Sequence, residues 1–243
     1  MPFWIDHLLV LVLAVFFPVR AGTFGYRRLV LAPEPEIPRV RHALYTQALW
    51  LQWGLAAFTA GLWLWQGRTW DEIGLSPRHP TGWIWGLGLA ALLAIGSWVQ
   101  QKRAARDPEA LEQVLRRVSQ VERMLPHAAE ELKTFYALSA TAGFCEELLY
   151  RGYLMWYLEH WMGLVPTLAG SSILFGVGHA YQGWRGVVTT GLFGGLLGVL
   201  YLVTGSLVTP MLVHALVDWH SGRLAYAALQ MRASLPPTPA IEA

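Results

Sequence analysis

Long apolar runs, rather than alternating ones, set the pattern of this chain. Hydrophobic residues dominate about residues 3–19, 48–65, 81–99, 134–158, 164–181, 186–204 and 207–227, with polar or charged clusters between them. Each run is near the roughly 17–25 residues with which a helix crosses a bilayer. Barrel strands would alternate apolar and polar side chains, and these runs do not. They predict α-helices, which satisfy their own backbone groups in lipid. The expected fold class is all-α: a polytopic membrane helical bundle of about seven spans, forming one integral-membrane domain over 1–243. The segment from Asp107 to Lys133 departs from the pattern. Leu111, Val114, Leu115, Val118, Val121 and Leu125 recur there at helical spacing among charged residues. This predicts an amphipathic helix on the cytoplasmic membrane interface, within an interfacial segment at 100–133. The proline-rich end, 234–243, reads as a disordered tail.

Composition sharpens the class. Hydrophobic residues make up 54% and charged residues 14% of the 243 positions, where a soluble domain carries about 25% charged residues. With 24 Gly, 13 Trp and a mean hydropathy of +0.36, the chain has the balance of a helical membrane protein. Cys145 is the single cysteine, so an internal disulfide framework and a Cys-rich metal site are excluded. The first apolar run carries Asp6 and is followed by Arg20, Arg27 and Arg28, the reverse of the charge order of a cleaved signal.

Basic residues concentrate in two loops. Arg20, Arg27, Arg28, Arg39 and Arg41 lie in the first; Lys102, Arg103, Arg106, Arg116, Arg117, Arg123 and Lys133 lie in the third. Both are therefore expected in the cytoplasm. The second loop, with Arg68 and Arg78 against Asp71 and Glu72, suits the opposite side. Alternation then puts the N-terminus outside and Arg223 and Arg232 inside. The third loop interleaves Glu109, Glu112 and Glu122 and lacks stacking aromatics, which argues against a nucleic-acid partner.

Ionisable residues inside apolar runs cost about 2.5–3.5 kcal/mol each at a helix centre, so each needs a partner or a function. Three clusters stand out: Glu146, Glu147 and Arg151 in the fourth run, His179 at the end of the fifth, and His214 with Asp218 in the seventh. Glu147 and Arg151 are four apart and share a helix face, which predicts an ion pair. Glu146 is turned about 100° from Glu147 and is left to face something else. His214 and Asp218 share a face, so Asp218 is expected to hold the imidazole's orientation. Phe175, four before His179, can wall the site or fill the core. The remaining histidines read as interfacial or solvated side chains. Gly191, Gly194, Gly195 and Gly198 predict close helix packing. Ser206 to Pro210 reads as a cap followed by proline at the first position of the last helix.

The ordered set Glu146-Glu147-x-x-x-Arg151, Phe175-x-x-x-His179 and His214-x-x-x-Asp218 resembles the CPBP family of CAAX-type intramembrane proteases, which includes prenyl-protein endopeptidases and bacteriocin-processing or immunity relatives. The resemblance covers about 134–227, the expected catalytic helices. It implies an intramembrane endopeptidase that hydrolyses a peptide bond of a membrane-embedded or lipid-modified substrate, without a cofactor. Glu146 would be the general base, His179 would help hold the water, and His214 and Asp218 would stabilise the oxyanion, with Glu147 and Arg151 as supporting ion pair. The prenyl-protein endopeptidases have Asn where this chain has Asp218. An ionised Asp would repel an oxyanion, so Asp218 is expected to orient His214, which then donates. The plasma membrane of a prokaryote is the expected location.

Two other readings compete. A zinc-dependent intramembrane protease would use Glu146, His179 and His214 as ligands, although no His-Glu-x-x-His occurs. A non-catalytic membrane protein, such as a bacteriocin-immunity factor, a scaffold or a proton-coupled carrier, could use the same buried groups. Gly170-Ser171-Ser172 lacks the Gly-x-Ser-Gly pattern of serine intramembrane proteases.

Overall fold

Helix is the only regular structure among the described residues of the computed structural model, which describes 1–19, 25–76, 80–104 and 106–234. The expected tail beyond Ser234, and Arg20, Arg78 and His79, lie outside the described residues. Helix α1 (Trp4–Leu11) widens into a π turn at Val12–Phe16 and ends as α2 (Phe17–Val19). Pro18 accounts for the loosened turn, since it lacks an N–H and its ring crowds the carbonyl four residues back. Then come α3 (Arg27–Val30), the long α4 (Ile37–Trp65), α5 (Pro80–Ala104) and α6 (Pro108–Val118). Helix α7 (Ala129–Glu147) passes through a π turn at Leu148–Leu154 into α8 (Met155–Met162). The chain closes with α9 (Leu164–Gly178), α10 (Gly183–Thr204) and α11 (Val208–Ser234). Pro210 is thus the third helical residue rather than the first, still within the turn whose N–H groups need no helical partner.

Two helices, Ile84–Ala104 and Ala180–Thr204, are by themselves long and apolar enough to cross a membrane. Only 11% and 17% of their most apolar stretches are buried, whereas the core helix of a soluble protein is mostly buried. Leu92, Trp85, Leu192 and Val203 point away from the protein, as side chains facing lipid do. Trp4–Val19 and Leu164–Gly178 are shorter apolar helices.

Small residues bring the rods together. A Cβ on Gly143 of α7 would stand 2.7 Å from the Met211 carbonyl and the Ala215 Cβ of α11. Gly176 and Gly191 similarly let α9 and α10 meet backbone to backbone. Residue 41 meets 131, 45 meets 135, 52 meets 146 and 63 meets 153. Both numbers rise together, so α4 and the α7–α8 rod lie parallel.

The first and third loops share one end of the bundle. Arg41, expected as a loop charge, is instead buried on α4; it donates to the Leu125 carbonyl at 2.7 Å and lies 3.5 Å from Glu131. Arg123 donates to the Val30 carbonyl at 2.6 Å and pairs with Glu34 at 3.1 Å. Arg232, near the end of α11, pairs with Glu122, and that hydrogen bond holds the Glu122 carboxyl below the usual range. Burial pushes the neighbouring His127 imidazole down. At the opposite end, Arg68 grips Asp6 through two bonds of 3.0 and 2.6 Å, and Tyr153 donates to the same carboxylate at 2.7 Å.

The amphipathic segment is shorter than its spacing predicts. Asp107 caps α6 by accepting from the Glu109 and Ala110 N–H groups, but the α-helix stops at Val118 and tightens into a 3₁₀ turn at Ser119–Met124. The apolar stripe of α6 packs on α11: Leu111 and Leu115 cluster with Leu224, Ala225, Ala228 and Leu229.

Candidate active site

Ala129–Met162 is one unbroken helical rod, and Glu146 sits near its middle. At 1.5 Å per residue it is about 25 Å from either end. The π turn begins directly after Glu147. Such an insertion re-aims the side chains beyond it and is frequent at functional sites.

Glu147 is fully buried and committed. Its Oε1 accepts from Arg151 Nη1 at 2.9 Å and from His214 Nδ1 at 2.8 Å. The Arg151 guanidinium lies 4.2 Å from the Phe175 ring centre, a cation–π contact that offsets part of its desolvation. Gly194 of α10 makes room for it: a Cβ there would stand 2.6 Å from Arg151 Nη2 and 2.9 Å from Phe175 Cδ1. The predicted ion pair is therefore present, and it is also the anchor of an imidazole 67 residues away.

Glu146 is buried too, but without an ion pair among the described residues. Gln52 Nε2 donates to its Oε1 at 3.1 Å, while its Oε2, like the second oxygen of Glu147, has no hydrogen-bond partner among the described residues. His179, His214 and Asp218 are all within its electrostatic reach. His179 caps α9, with Nδ1 2.8 Å from the Phe175 carbonyl. A carbonyl only accepts, so Nδ1 carries the proton and Nε2 is the acceptor of the neutral ring. The Phe175 ring touches both imidazoles, at 4.8 Å from His179 and 5.9 Å from His214 between centres. It walls the site and fills the core at once.

One expectation is corrected. Asp218 does not hold the His214 ring: its Oδ2 is 3.6 Å from Nε2, beyond hydrogen-bond range. The carboxylate that orients His214 is Glu147, on Nδ1. Asp218 is 39% exposed and stands at the outer side of the site, facing Nε2. Gln52 was not singled out from the sequence; a lone amide inside the apolar run 48–65 is the signal that could have found it.

The alternative zinc set, Glu146, His179 and His214, is not gathered for coordination. Among the described residues no three His, Cys, Asp or Glu side chains converge to hold a metal ion. Both Nδ1 atoms are engaged, by Glu147 and by the Phe175 carbonyl, which leaves the Nε2 atoms as the free ring positions. Ser171 Oγ is spent on the Tyr150 carbonyl at 3.1 Å.

No curated protein and no solved structure matches the chain. A family model does: residues 128–220 match the type II CAAX prenyl endopeptidase Rce1-like family. That segment runs from the residue before α7 to two residues past Asp218, so it holds Glu146, Glu147, Arg151, Phe175, His179, His214 and Asp218 together. Over that segment the chain is similar to the CAAX-type endopeptidases.

Proposed function

We propose that this protein is an intramembrane endopeptidase that hydrolyses a peptide bond of a membrane-associated substrate, of the prenylated class named by the matched family, using water activated by Glu146. The observation that carries the reading is the contrast between adjacent glutamates. Glu147 is balanced by the Arg151 guanidinium and bonded to His214 through the same oxygen, while Glu146 has no ion pair among the described residues, bonds only the neutral Gln52 amide and lies within electrostatic reach of two imidazoles. Water held by Glu146 Oε2 and His179 Nε2 gives its proton to Glu146 as its oxygen bonds to the scissile carbonyl carbon. The carbonyl π pair moves onto oxygen, where Nε2–H of the His214 imidazolium donates to it. Collapse breaks the C–N bond, and Glu146 passes its proton to the departing amine. Asp218, on the Nε2 side, attends the imidazolium rather than the oxyanion.

The reading also takes the bundle as crossing the membrane about seven times. Supporting this, each apolar run lies on one of the rods, and the two basic loops meet at one end, as cytoplasmic loops would.

The test uses purified protein in liposomes with two membrane-tethered reporter peptides, one farnesylated and one unmodified. Glu146→Gln keeps the size but cannot take the water's proton. It should abolish cleavage while the melting temperature stays near that of the wild type. Full activity in this variant overturns the mechanism. Activity lost on exhaustive chelation and restored by zinc recasts Glu146, His179 and His214 as ligands.

A further inference from the structure

The segment that carries the family motifs starts at 128, yet one of the atoms touching Glu146 comes from α4, far upstream. We infer that Gln52 is a positioning residue for the Glu146 carboxylate, so that the site is completed by a helix outside the matched segment. The inference rests on the proposed role of Glu146 and adds to it a residue that fixes which oxygen does the work.

Gln52 is 7% exposed, in the middle of an apolar helix. Burying a primary amide there is costly unless it is hydrogen-bonded. Its Nε2 bonds to Glu146 Oε1 at 3.1 Å, and its own Oε1 has no partner among the described residues. A carboxylate only accepts, so the amide must present nitrogen to it; the reverse orientation would set two acceptors against each other. The next residue pins the rotation of α4. Trp53 Nε1 donates to Thr141 Oγ1 at 3.1 Å, and its indole stacks on Phe144 at 5.3 Å and 24°. Both partners lie on α7, one turn or so before Glu146. The amide is thus delivered by a docked helix rather than by a free side chain.

With Oε1 taken, Oε2 is the acceptor left to Glu146, and its direction is set. Without the bond the carboxylate can rotate, and the water's proton acceptor loses its fixed position. The effect belongs to the chemical step, not to substrate binding.

Gln52→Leu and Gln52→Glu are assayed beside Glu146→Gln with the same two reporters. In Gln52→Leu, kcat should fall roughly 10- to 100-fold, the worth of a hydrogen bond to a charged group, with KM unchanged. Gln52→Glu should behave differently with pH. Its protonated carboxyl still donates, so its kcat relative to wild type should rise as pH is lowered, while Gln52→Leu stays uniformly low. A packing role alone would not produce that rescue. Independently of turnover, the infrared carboxylate band that disappears in Glu146→Gln should shift in Gln52→Leu. Wild-type kcat in Gln52→Leu, an effect confined to KM, or an unshifted band overturns the inference. Loss of activity in Glu146→Gln with full activity in Gln52→Leu removes only the Gln52 role. Full activity in Glu146→Gln removes the underlying mechanism as well.

Discussion

Glu147 shows how one buried charge can serve two partners. Its Oε1 balances Arg151 and fixes His214. Removing one member of a buried pair strands the other charge and costs about 3–5 kcal/mol. Glu147→Gln should therefore lower the melting temperature and the folded yield in detergent, and should also cut activity by freeing the His214 ring. Asp218→Asn should leave substantial activity, because Nδ1 of His214 stays anchored to Glu147; a loss as large as that of His214→Ala would contradict this. The Glu147–Arg151 pair was legible in the sequence because helical spacing alone joins residues four apart. The same rule pointed to Asp218 as the holder of His214. It failed there because a better-placed acceptor came from another helix, which no local spacing reveals.

At the level of elements, the site depends on how closely α10 approaches the π turn. Gly194 faces Arg151 and Phe175, and an added methyl group would collide with both. Overpacking of this kind costs about 1–3 kcal/mol. Gly194→Ala should lower the melting temperature and kcat together, whereas Gly96→Ala on α5, with nothing within 4 Å of the new methyl, should do neither. The glycine spacing of α10 announced close packing, but not which glycine met the ion pair. The π turn at Leu148–Leu154 left no signal in the sequence reading, since its apolar residues read equally well as α-helix. The 3₁₀ turn at Ser119–Met124 was hidden for the same reason: hydrophobic spacing continues to Leu125 through backbone that has already changed its hydrogen bonding.

Across the whole molecule, the parallel docking of α4 on α7 ties both basic loops to one end and the Asp6–Arg68 pair to the other. If the basic end is cytoplasmic, single cysteines at Arg28 and Arg116 should be shielded from an impermeant thiol reagent in intact cells, while one at Ser76 should react. Labelling of the first two from outside, with Ser76 silent, would invert the bundle and open the site to the other side of the membrane.

The hydrophobic runs by themselves determined that this protein is all helix, because no other open structure satisfies its backbone against lipid. The order of its intramembrane charges singled out Glu146, Glu147, His179 and His214, because ionisable groups persist at that depth only with a partner or a task. Tertiary structure decided which partner each group received. Glu147 rather than Asp218 holds His214, and Gln52, well upstream of the motifs, reaches Glu146. Those bonds join residues 67 and 94 positions apart. They follow from glycine contacts and aromatic docking between helices, and such contacts become visible only when the rods are placed side by side.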